Sequence, residues 1–112
     1  MERKITVRTQ ILTGNLGDGW NDNRAVADAY AEFIRKQWLE DLAPYTETHE
    51  VEVSIDIQQA SGSSAPLRVD VDGYGRDFEA SIDLERTIEE EVLTPDSILW
   101  DRFCVEVQNS DL

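Results

Sequence analysis

Residues 49–58 read His49-Glu50-Val51-Glu52-Val53-Ser54-Ile55-Asp56-Ile57-Gln58. Val51, Val53, Ile55 and Ile57 occupy every second position, with Glu50, Glu52, Ser54 and Asp56 between them. Period two is the signature of a strand with one face on a core and the other in water. The same period runs from Lys4 to Leu12, with Ile5, Val7, Thr9 and Ile11 on one face and Lys4, Thr6, Arg8 and Gln10 on the other. Leu67, Val69 and Val71 give a third inward face, and the polar turn Ala60 to Pro66 predicts a hairpin between 50–58 and 67–72.

Between the first two strands lie a loop with Gly14, Gly17 and Gly19 and then a helix over about 23–42. Asn21, Asp22 or Asn23 can cap this helix, and it stops before Pro44. After Gly73, Phe78, Ala80 and Ile82 alternate as a short extended piece, while Leu84, Ile88 and Val92 predict a helix over 83–93. Thr94-Pro95-Asp96 restarts a helical turn, with Thr94 as cap and proline first inside. Phe103, Val105 and Val107 then suggest a final strand. The expected fold is α+β: a ferredoxin-like, split βαβ sandwich. It has a four- to five-stranded, mostly antiparallel sheet and two helices on one face.

At 112 residues the chain is expected to be one acidic domain, 1–112. No apolar run approaches the roughly 18 residues of a membrane span. The start, Met1-Glu2-Arg3-Lys4, has no secretory stretch. One cysteine, Cys104, allows no internal disulfide. The cytoplasm is the expected compartment.

Charge is the unusual property: 24 acids against 10 Lys and Arg, net −14. Residues 1–44 are nearly balanced, with seven acids and six bases, whereas residues 45–112 hold 17 acids and four bases. The densest run, 77–91, sets Asp77, Glu79, Asp83, Glu85, Glu89, Glu90 and Glu91 against Arg86 alone. With a Debye length of about 8 Å at physiological salt, such a cluster repels phosphate, so direct binding to nucleic acid or an anionic membrane is disfavoured. A basic protein surface fits. The plain alternative is that the acids only keep the chain in solution.

Catalytic signals are weak. Gly14-x-x-Gly17-x-Gly19 is not a dinucleotide fingerprint, no P-loop lysine follows, and Asp18 and Asp22 would repel a phosphate. The oxygen ligands of that loop lack calcium-loop spacing. His49 is the only histidine and has no nucleophile signature beside it; Cys104 reads as a core thiol. No enzyme activity, metal or cofactor is expected.

The first helix carries a wide apolar arc. Val26, Ala29, Tyr30, Phe33 and Gln37 share one face, and Ala27, Ala31, Ile34, Trp38 and Leu42 extend it to about 200°, twice what a core-facing helix needs. Either the helix near Pro95 covers the second stripe, or Trp38 and Leu42 form an interface, a homodimer seam included.

The partner-binding residues are therefore expected to be Asp77, Glu79, Glu85, Glu89, Glu90 and Glu91. In size, charge and lack of catalytic motif the chain is similar to the small acidic proteins that phages use against CRISPR and restriction enzymes. Bacterial immunity proteins that neutralise nuclease toxins share the same character. That resemblance implies an inhibitor that occupies a basic, nucleic-acid-handling enzyme or effector by DNA mimicry. The alternative is a small acidic dimeric structural or housekeeping domain.

Overall fold

The computed structural model describes residues 3–16, 23–63 and 67–110, with side chains as far as Glu106. Three strands form one sheet in the order β2-β1-β3: β1 (Lys4–Leu12), β2 (Glu50–Gln58) and β3 (Arg68–Asp72). The three period-two segments are thus strands, and their branched residues share one face. Ile5 pairs with Val51 and Val71, and Val7 with Val53 and Val69.

Their order differs from expectation. β2 runs parallel to β1 and hydrogen-bonds to it directly, while β3 lies antiparallel on the other side of β1. The 50–58/67–72 hairpin does not form, and no third strand separates the parallel pair as a split βαβ unit requires. Periodicity tells which face a strand buries and carries no label for its neighbour. After β2 the chain crosses the end of β1, where Gly14 N donates to Ala60 O (2.8 Å), and it enters the free edge beyond β1.

Helix α1 (Arg24–Asp41) begins where Asn23 Oδ1 accepts from Val26 N. Asn21 and Asp22, the other candidate caps, lie outside the described residues. α1 lays Ala27, Ala31, Ile34 and Trp38 against the sheet. Its second stripe is covered from within the chain: Tyr30 meets Trp100 edge-on (centroids 4.8 Å apart), and Tyr30 and Phe33 both meet Phe103.

Two assignments are corrected. α2 (Phe78–Thr87) starts five residues before the expected helix, because the Asp77 carboxylate caps it by accepting from Ala80 N. Phe78, Ala80 and Ile82 are helical. Phe78 and Ile82 mimicked a strand because they are large apolar residues facing water, 69% and 50% exposed. The second correction is the last element. Phe103, Val105 and Val107 belong to helix α3 (Asp96–Ser110), with Phe103 buried and Val105 exposed. Leu99 and Phe103, one turn apart, carry its buried face. Among the described residues the sheet therefore has three strands, not four or five, and three α-helices stand where two were expected.

The helical side holds the core, with Ile5, Val7, Leu42, Ile88 and Leu99 each fully buried. Each edge strand gives a backbone group to a helix side chain. Arg35 Nη2 donates to Val53 O (2.8 Å), and Val71 N donates to Glu85 Oε1 (2.9 Å). Charged groups at these positions blunt edges that could otherwise pair with another chain.

Candidate functional site

Two groups of acids, on the open sheet face and on the α2 side, differ in character. On the open sheet face the register sets Lys4 between Glu50 and Asp72, and Thr6 between Glu52 and Asp70. Lys4 Nζ pairs with Glu52 (3.2 Å) and Arg68 Nε with Asp70 (3.1 Å). The Glu52 hydrogen bond and charge, joined by Glu50 and Asp72, hold the Lys4 ammonium above its ordinary pKa. Glu52 is matched across strands by Lys4, and Asp70 along β3 by Arg68.

The α2 side is different. α2 passes at Ile88 into a π-helical turn, Ile88–Val92, closed by Leu93 N donating to Ile88 O (3.0 Å). Ile88 is buried and Val92 half-buried, so Glu89, Glu90 and Glu91 bulge into solvent together. Glu79 is exposed in the first turn of α2. Among the described residues none of these four glutamates enters an ion pair, and neither does Arg86. Asp77 and Glu85 have other tasks: Asp77 caps α2, and Glu85, half-buried, holds the β3 edge. The six acids singled out from the sequence thus divide into four unneutralised surface groups and two bound to backbone amides.

Trp38 and Leu42 are interior. They are 2% and 0% exposed, and Trp38 Nε1 donates to Thr94 O (2.9 Å). Asp41 Oδ2 grips the same residue, accepting from both Thr94 N and Thr94 Oγ1 at 2.8 Å. The end of α1 and the start of α3 are tied through Thr94, and neither Trp38 nor Leu42 is presented as a surface anchor.

One cluster escaped sequence reasoning. His49, buried where β2 begins, lies between Thr48 Oγ1 (2.8 Å from Nδ1) and Tyr74 Oη (2.7 Å from Nε2). The Thr48 hydroxyl donates to Tyr45 O, so it accepts from Nδ1–H, and Tyr74 O–H donates to Nε2. The Arg3 guanidinium sits 4.4 Å above the Tyr74 ring. Burial first, and the Arg3 charge second, push the His49 pKa below its ordinary value, against the Tyr45 carbonyl. The imidazole is neutral and locked by both nitrogens, which suits a structural staple. No local spacing announced it, since Tyr74 lies 25 residues away.

Other chemistry is sparse. Cys104 is half-buried, and burial and Asp101 raise its pKa, which keeps the thiol protonated. Among the described residues no three His, Cys, Asp or Glu side chains gather as metal ligands, and no helix is long and apolar enough to cross a membrane. Gly17, Asp18, Gly19, Asn21 and Asp22 of the glycine loop lie outside the described residues. A recess of 380 Å³ opens between Leu12, Leu16, Tyr30 and Trp100, and another of 400 Å³ between Leu67, Leu93 and Pro95, bordered by Glu89, Glu90 and Asp96. Compared with models of protein families, with curated proteins and with solved structures, the chain matches none.

Proposed function

We propose that this protein is a binding inhibitor: its acidic α2 side occupies a basic, nucleic-acid-handling partner by imitating phosphate charge. The observation that carries the reading is the contrast between the two acidic surfaces. On the sheet face Glu52 and Asp70 are paired with Lys4 and Arg68, and Glu50 and Asp72 flank the same Lys4, whereas Glu79, Glu89, Glu90 and Glu91 stand exposed without a cation among the described residues. Like charge held together this way costs stability through self-repulsion, and a basic partner relieves it on binding. A solubilising surface needs no such concentration. The π turn adds to this, because such turns are rare and are often found at functional sites.

In this reading, Glu89, Glu90 and Glu91 present adjacent carboxylates, with Glu79 further along α2. One DNA strand carries a charge every 3.4 Å or so of axis, and three consecutive glutamates on one turn present a similarly dense run of negative charge. Nothing in the mechanism is catalytic: the inhibitor binds stoichiometrically, associates fast and weakens steeply as salt rises.

The test is a triple reversal, Glu89→Lys, Glu90→Lys and Glu91→Lys, that leaves Glu85 on the β3 edge. Immobilised wild-type protein should recover nucleic-acid-binding proteins from a bacterial lysate at low salt and lose them at high salt. The triple variant, melting as the parent does, should recover none. Equal recovery by the two proteins overturns the proposal.

A further inference from the structure

We infer that Phe78 and Ile82 are the apolar anchor of this acidic surface, and that the segment seated there is a basic amphipathic helix of a partner protein. The inference rests on the reading of the α2 side as a binding surface and says what must touch it. α2 turns Leu84 and Glu85 toward the body of the protein and continues into buried Ile88. Phe78 and Ile82 are nevertheless 69% and 50% exposed. They lie four residues apart on one helix, so their Cβ atoms are neighbours at about 5–6 Å and form a continuous stripe. At about 100° per residue the next stripe round the helix is acidic, Glu79 and Asp83.

The other large exposed apolar residues do not make such a patch. Leu39 stands alone on α1, and Ile98 and Val105 on α3 are seven residues apart with Asp101 and Arg102 between them. Single exposed apolar residues need no explanation, whereas an adjacent aromatic–aliphatic pair with a charged rim has the anatomy of an interface centre. The rim decides the occupant. Asp77, Glu79 and Asp83 beside the stripe outnumber Arg76 and Arg86 at its two ends, and with Glu89 to Glu91 beyond it the net negative charge would repel a second copy of this chain as well as anionic lipid or nucleic acid. A helix with lysines or arginines flanking an apolar stripe complements both features. Charge sets encounter and register, and the desolvated Phe78 supplies the contact that resists dissociation.

The experiment uses two synthetic peptides with the same number of lysines, one a leucine/lysine amphipathic helix and one with glycine in place of leucine. Each is titrated into wild-type protein, Phe78→Ser/Ile82→Ser, and Ile98→Ser/Val105→Ser as a control for exposed apolar residues elsewhere. Wild type and control should bind the leucine/lysine peptide at least about tenfold more tightly than the glycine/lysine peptide. The Phe78→Ser/Ile82→Ser variant should bind both equally. If that variant keeps the preference, or wild type shows none, the anchor is refuted while binding of both peptides sustains the acidic surface. If neither peptide binds at low salt, the acidic surface itself falls and the anchor with it. A dimeric wild type made monomeric by Phe78→Ser/Ile82→Ser identifies the stripe as a self-association seam and overturns the inference.

Discussion

Replacing Trp38 by alanine separates a packed core residue from an interface anchor. The indole is 2% exposed between the sheet and the start of α3, and its N–H is the partner of the Thr94 carbonyl. Trp38→Ala opens a cavity in the core beside Leu93 and leaves that carbonyl unpaired. Truncations of this kind cost about 3–5 kcal/mol. Near 60 °C a chain of this length loses roughly 4 °C of melting temperature per kcal/mol, so Tm should fall by about 12–20 °C. Trp38→Phe keeps most of the volume and removes the donor, so it isolates the hydrogen bond at about 1–3 kcal/mol. Circular-dichroism melts of the three proteins, with size-exclusion chromatography of each, make the measurement. A Trp38→Ala protein that melts within about 4 °C of the parent and changes its elution volume would refute the core assignment.

Glu85→Ala should lower the urea-unfolding free energy by about 1 kcal/mol because Val71 N–H loses its acceptor, while Glu89→Ala should stay within about 0.5 kcal/mol of wild type. Equal effects would mean that the Glu85 contact contributes nothing. The folded-state pKa of His49 lies below its unfolded value. Its contribution is therefore fully present above about pH 6.5 and is lost as pH falls below that and through the folded pKa. Melts across this range should show a steeper acid loss for wild type than for His49→Gln, and parallel curves would dismiss the staple. A methyl group at Gly14 would stand 2.6 Å from Ser61 Cβ and 2.8 Å from Ala60 O. Gly14→Ala should thus cost about 1–3 kcal/mol and speed hydrogen exchange at the residue 14 amide that bonds Ala60; unchanged exchange protection there would contradict the close approach.

Local order in the chain is written in its spacing. Alternation at Lys4–Leu12, Glu50–Gln58 and Leu67–Val71 specifies three strands and their inner faces, because a one-residue slip would turn every branched side chain into water. Asn23 before a run of helix formers marks the start of α1, and Thr94-Pro95 marks the restart that becomes α3. Tertiary structure alone decided which strands are neighbours, since β3 could satisfy its backbone at the edge of β2 or of β1 and its side-chain pattern is the same in either place. It also decided that Phe78, Ile82 and Val105 face solvent, so hydrophobic spacing misassigned the two segments that contain them. The acids followed the same division. Composition predicts a negative surface in the second half of the chain, but compensation is a property of distance. Only the fold brings Glu52 to Lys4, sets Glu85 on the Val71 amide, and leaves Glu79, Glu89, Glu90 and Glu91 exposed without a cation among the described residues.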